Sequence, residues 1–281
     1  MKLLFGCCCP PRVKEEEDGG VNMAERPTAS TSLDSVAESR GSVTAVSSDA
    51  QRGSPITQEF ALARAAVFND DLRSLDKLVE DDPWLLNASD QFGRTLLIHA
   101  ALTDRAKVVD WLIRRGSWIE TTDRQGRSAL HWAVKRNSIK TVRLLLAQKR
   151  HSSRSLFLIA DADHVTPMHL ACRLPSPKCL KIILQHIESD DDCAKMASDD
   201  GGRSPLHYAG AHGLSAHLNL LLNDDRLRFS VNQADCIGRT PIMYAVTAAS
   251  PNAEECVRLL LRRSPLIVSA QDKRGLTPLH L

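Results

Sequence analysis

No apolar run in this 281-residue chain approaches the roughly 18 residues that a membrane-spanning helix requires, so a transmembrane helix is not expected. Charge of one sign is also missing. Lysine and arginine number 36 against 34 aspartates and glutamates, a net charge of +2, and the two kinds are interleaved. No global field therefore draws nucleic acid. Catalytic signatures are absent too. There is no Gly-rich phosphate loop, no Gly-x-Ser-x-Gly elbow and no cysteine with an activating neighbour, so neither enzyme activity nor a cofactor is expected. The eight cysteines do not form the dense framework of a small secreted domain. Cys172, Cys179, Cys193, Cys236 and Cys256 fall one per predicted element in a helical region, which points to a reducing, intracellular setting.

The N-terminal stretch lacks what folds a chain. Residues 19–54 are dominated by Ser, Thr, Ala, Gly and Glu and contain no aromatic residue, leaving too little apolar surface to offset chain entropy. Residues 1–55 are expected to be a disordered tail, and its serines and threonines read as a solvated linker before they read as phosphorylation sites. The opening Met1-Lys2-Leu3-Leu4-Phe5 is a poor signal peptide, because its apolar part is short and Pro10, Pro11 and the acidic run at 15–18 follow it. Cys7, Cys8 and Cys9, between Lys2 and Arg12, are candidates for S-palmitoylation, where several acyl chains give the two-signal anchoring that one cannot. Ordinary thiols are the alternative. Lys2 in place of glycine rules out N-myristoylation.

Repetition is what the rest of the chain has in quantity. The frame Asp90-Gln91-Phe92-Gly93-Arg94-Thr95 recurs from Asp123, Asp199, Asp235 and Asp272, with Gly126, Gly202, Gly238 and Gly275 in the glycine slot. A sixth copy, from Asp161, carries His164 there instead. Successive frame aspartates are 33 to 38 residues apart, and the excess over 33 sits in loops. The frames continue as Ser128-Ala129-Leu130-His131-Trp132-Ala133, Thr166-Pro167-Met168-His169-Leu170-Ala171, Ser204-Pro205-Leu206-His207-Tyr208-Ala209 and Thr240-Pro241-Ile242-Met243-Tyr244-Ala245. These resemble the Thr-Pro-Leu-His-x-Ala signature of ankyrin repeats, and several in one register make the resemblance specific.

Each signature also has a local mechanism. Thr or Ser caps a first helix, Pro takes the first helical position where its missing N–H costs nothing, and Gly serves the preceding turn. About ten residues later comes a second apolar pattern, such as Val108-Val109-Asp110-Trp111-Leu112-Ile113 or Val142-Arg143-Leu144-Leu145-Leu146, the buried face of a second helix. Residues 58–69 and 72–79 read as one more helix pair without the signature, an atypical terminal repeat. The expected fold is an all-α ankyrin-repeat solenoid of helix-turn-helix units with β-turn fingers over 56–281, about six repeats plus a truncated last one. Leu281 follows Thr277 by four residues, before the helix that Thr277 caps could form, so a fragment of a longer protein is expected.

Val165-Thr166-Pro167-Met168-His169 through Ser176-Pro177-Lys178-Cys179-Leu180, together with Asp90 to Thr95, is similar to the opening repeats of the inversin family of ankyrin scaffolds. That resemblance implies an adaptor at the primary cilium or the cytoskeleton, with nephrocystin-type partners and a link to Wnt signalling. The cysteine-bearing tail is no part of it, and the calmodulin-binding segments of that family are absent from this sequence. Two rivals share the fold: the ankyrin region of a larger membrane enzyme or channel, palmitoyltransferase-like, and a ubiquitin-ligase or other regulatory adaptor.

His131, His169, His207 and His280 share one slot, filled elsewhere by Ile98 and Met243, and read as structural. His207, His212 and His217 lie five residues apart, which scatters them around a helix, so no metal site is expected. For partner binding the candidates are Phe92 and Ile237 at finger tips, exposed Trp118 beside Gly116, and the column Arg94, Arg127, Arg203 and Arg239, one residue before each cap. Guanidinium groups in a column suit an acidic partner, or else pair with frame aspartates of neighbouring repeats. Trp84, Trp111 and Trp132 are expected in the core.

Overall fold

Each repeat of the sequence becomes a finger, a first helix and a second helix. The computed structural model describes residues 58–148, 156–187, 198–227 and 229–281. The expected tail at 1–55, with Cys7, Cys8 and Cys9, lies outside them. Helices α1 (Gln58–Phe68) and α2 (Leu72–Asp81) form the pair without a signature. Five further pairs follow: α3 (Leu96–Leu102) with α4 (Ala106–Arg114), α5 (Ala129–Lys135) with α6 (Ile139–Leu146), α7 (Pro167–Ala171) with α8 (Lys178–Leu184), α9 (Pro205–Ala211) with α10 (Ser215–Asn223), and α11 (Pro241–Val246) with α12 (Ala253–Arg263). The last frame makes a 3₁₀ turn at Pro278–His280.

Local chemistry starts and reverses these elements. Pro167, Pro205 and Pro241 open their helices at the position where no N–H is needed. Between first and second helices the chain reverses through one residue in the left-handed region: Asp70, Asp104, Asn137 and Gly213, at φ of 57° to 60°. Asp, Asn and Gly tolerate that conformation where branched residues do not. Asp71 then caps α2, its carboxylate accepting from the amides of Arg73 and Ser74.

First helices pack on first helices and second on second along the stack. The second helices bury one stripe each, as with Val108, Val109, Leu112 and Ile113 of α4. Leu112 is fully enclosed, a burial that contributes about 2 kcal/mol. Trp132 is in the core as expected, at 6% exposure. Trp111 is only partly buried, with Arg115 over its ring. The expectation for Trp84 is wrong. It is 51% exposed, because the 3₁₀ turn Pro83–Leu86 rotates about 120° per residue and sends the adjacent Leu85 inward instead.

Candidate protein-binding surface

The fingers are built around the frame aspartates, each nearly buried in five of the six copies. One carboxylate oxygen gathers the turn. Oδ1 of Asp90 accepts from the amides of Phe92 and Arg94 at 2.8 and 2.9 Å, and Asp123, Asp161, Asp235 and Asp272 repeat the pair of bonds. The other oxygen is met nine residues later by a side chain of the first helix. His99 Nε2 lies 3.0 Å from Asp90, Trp132 Nε1–H donates to Asp123 at 3.1 Å, and the hydroxyls of Tyr208 and Tyr244 donate to Asp199 and Asp235 at 2.7 Å. Burial lowers the His99 pKa in spite of Asp90, so the neutral ring donates from Nε2. The shared aspartate partner of these four side chains was not apparent from the sequence. The regular nine-residue spacing was the signal.

Fingers are joined to one another by main chain. The Arg124 amide donates to the Phe92 carbonyl at 2.9 Å, and the same bond runs from Ala162 to Gln125, Asp200 to Asp163, Cys236 to Gly201 and Lys273 to Ile237. Each contributes about 1 kcal/mol net. Glycine is needed where the fingers touch: at Gly202, φ is +73° and an added Cβ would stand 3.1 Å from the Cys236 amide.

The histidine slot ties a first helix to the finger of the next repeat. Ser128 and Ser204 donate their amides to Nδ1 of His131 and His207, which fixes the tautomer. Nε2–H then donates to the next repeat, to the carbonyls of Val165 and Arg239, each at 3.1 Å. His169 receives the Thr166 amide in the same way, but its buried Nε2 makes no such bond to the next repeat. Burial pushes His131 and His169 down to about 4, so they are neutral at physiological pH. His207, His212 and His217 do not share a helix: His212 ends α9 and His217 is buried in α10. Among the described residues no group of three His, Cys, Asp or Glu side chains could hold a metal ion. Burial also raises the thiols of Cys179 and Cys256 to about 11, which leaves them as thiols at neutral pH.

Phe92 and Ile237 occupy finger tips with their main chain bonded to the frame and to the next finger, while their side chains are 51% and 39% exposed. Trp118 is 64% exposed, but it stands on the approach to the second finger, its amide donating to Asn87. It is not a tip residue. The arginine column is split. Arg127 and Arg203 bond the frame aspartate of their own repeat, at 3.3 and 2.9 Å. Arg94 and Arg239 approach the frame aspartates of the next repeat, Asp123 and Asp272, at 4.0 and 3.7 Å. Pairing only with neighbouring repeats is thus half right, because a residue four positions after Asp can curl back onto it.

A model of three ankyrin repeats matches residues 62–155 and again 152–235, and a single ankyrin repeat matches 237–273. The chain belongs to the ankyrin-repeat family. Inversin of the dog, Canis lupus familiaris, is 31% identical over 218 residues, which is 77% of this chain and 19% of inversin. The human transient receptor potential cation channel subfamily A member 1 is 30% identical over 196 residues, 69% of this chain and 16% of the channel. This ankyrin chain therefore spans less than a fifth of the length of either relative. The crystal structure of the ankyrin repeat domain of Bcl-3 superposes with a TM-score of 0.63 at 24% identity, over 78% of this chain and 92% of that domain. The solenoid read from the repeats and the resemblance to inversin both stand. Ankyrin repeats form a protein-interaction unit, and no helix of the described residues is long and apolar enough to cross a membrane.

Proposed function

We propose that this chain is a non-catalytic adaptor, inversin-like, that gathers nephrocystin-type and other proteins in ciliary or cytoskeletal assemblies of the cytoplasm. In this reading residues 56–281 are the binding unit. Residues 1–55 are a tail that attaches to membrane through acylated Cys7, Cys8 and Cys9. The observation that carries it is the finger ladder: a hydrogen-bonded backbone that holds Phe92 and Ile237 outward, flanked by Arg94, Arg127, Arg203 and Arg239. A rigid scaffold with exposed apolar and guanidinium groups suits protein recognition, since little side-chain and loop entropy is left to lose. Trp118 adds an exposed aromatic side chain between α4 and the second finger. The 31% identity to inversin supports the ciliary setting.

Proximity labelling in ciliated cells with residues 1–281 tests this, beside a variant with Cys7, Cys8 and Cys9 all changed to Ser. Enrichment of ciliary-base and nephrocystin-type proteins is expected, with loss in the variant. A catch of generic cytosolic proteins, unchanged by the substitution, overturns both the inversin-like role and the acylation. The similarity to a cation channel favours a second reading, in which the repeats serve a larger membrane protein. Membrane-spanning segments encoded downstream of Leu281 in the full transcript would select it.

A further inference from the structure

Positive charge is concentrated around Trp132. This indole is fixed by its bond to Asp123, and three cations crowd its ring: Arg94 at 5.1 Å from the centroid, Arg127 at 4.4 Å and Lys135 at 4.9 Å. With all three on one ring, no two are further apart than about one Debye length at 0.1 M salt, ~10 Å. Arg173 joins them from the next repeat. It stands four residues after His169 as Lys135 stands four after His131, and both side chains are exposed. Burial, then Arg127, Arg173 and Arg94, lowers the Lys135 pKa, and Asp123 opposes them. Asp123 is already occupied, by Trp132, by Arg127 and by two finger amides. Arg94 Nε is buried without a hydrogen-bond partner, so its charge is not neutralised by a direct bond there. Asp161 also faces Arg127, so two carboxylates stand against four cations and the cluster holds more cation than its anions satisfy.

We infer that Lys135 and Arg94 on the ring of Trp132, with Arg173 of the next repeat beside Lys135, are the seat for an extended acidic segment of the partner protein, one that presents clustered oxyanions. The proposal rests on the adaptor reading and specifies the partner's chemistry. Carboxylates or a phosphate monoester would meet the exposed Lys135 ammonium and Arg173 guanidinium in charge-assisted bonds and relieve the repulsion at Lys135. Nucleic acid fits less well, because Trp132 is 6% exposed with guanidinium groups over its ring and offers no open face for base stacking.

Fluorescence anisotropy with the full chain and three labelled peptides tests this: one rich in Asp and Glu, one with phosphoserine, and one with Asn and Gln in place of the acids. The first or the second should bind, more weakly as salt rises from about 50 to about 300 mM. The double variant Lys135→Glu, Arg173→Glu should weaken binding at least about tenfold. Lys107→Glu, Arg143→Glu changes the net charge equally, on exposed positions of a groove between α4 and α6, and should leave binding within about twofold. Circular dichroism checks that both variants fold, and Arg94→Gln provides a milder one. Equal loss in both double variants, no preference over the Asn and Gln peptide, or tighter binding of oligouridine overturns the proposal. Proximity labelling that still recovers ciliary partners with Lys135→Glu, Arg173→Glu sinks this seat and leaves the adaptor reading standing. Acidic-peptide binding without ciliary partners does the reverse.

Discussion

The third and fourth fingers, at Asp161 and Asp199, make the same turn from different side chains. In both, the frame aspartate accepts the amide four residues on, Val165 to Asp161 at 2.8 Å and Arg203 to Asp199 at 2.8 Å. They differ at the other carboxylate oxygen. Asp199 is met by the Tyr208 hydroxyl and the Arg203 guanidinium, and although burial raises its pKa these bonds lower it on balance. Asp161 has Leu170 where Tyr208 stands and Val165 where Arg203 stands, and burial raises its pKa. The glycine slots differ as well, Gly202 against His164 at φ 55°. The backbone bonds alone are enough to shape a finger. Side chains decide how tightly its charge is held.

The largest effect should come from removing the better-held carboxylate. Asp199→Ala leaves the Tyr208 hydroxyl and a finger amide without their acceptor and should cost about 4 kcal/mol, against about 1–2 kcal/mol for Asp161→Ala. Equilibrium urea unfolding measures both, and equal losses would mean that the amide bonds dominate.

Protonation of the buried histidines should come next. His131 and His169 have folded values near 4, below the 6.5 of the unfolded chain, so the unfolded state binds the extra protons. Stability should fall as pH drops from about 6.5 to about 4, by on the order of 3 kcal/mol per histidine at the lower end. Unfolding midpoints across that range would show it. His131→Met, the residue that Met243 supplies in its repeat, should flatten the slope.

Smaller changes exchange the two fingers' features. Gly202→Ala, at φ +73° against the Asp235 and Cys236 backbone, should cost about 2 kcal/mol. His164→Gly should gain about 0.5–1 kcal/mol, because relief of a left-handed side chain outweighs an exposed pair with Asp200. Thermal melts rank the two. Leu170→Tyr is the mildest, adding about 1 kcal/mol by supplying the missing donor and turning the Asp161 pKa downward, which carboxyl NMR titration would follow. An unmoved Asp161 would mean that the third finger is splayed beyond the reach of a tyrosine there.

How much was legible depended on distance along the chain. The Ser and Thr caps at 128, 166, 204 and 240 and the prolines that open α7, α9 and α11 act within a few residues, and their spacing named the elements. Trp84 misled because two adjacent apolar side chains, Trp84 and Leu85, compete for one inward position, and only packing chooses. The arginine column was visible as a column. Whether Arg94 reaches Asp123 or Arg127 curls back onto it depends on where the next finger stands.

The sequence by itself determined the repeat, its fingers and its paired helices, because caps, turns and helical periodicity are settled by bonds that close within about ten residues. Only the tertiary structure decided what the stacked repeats bring together. Lys135 and Arg173, 38 positions apart in the chain, came within electrostatic reach of one another because stacking sets residues of equal register side by side.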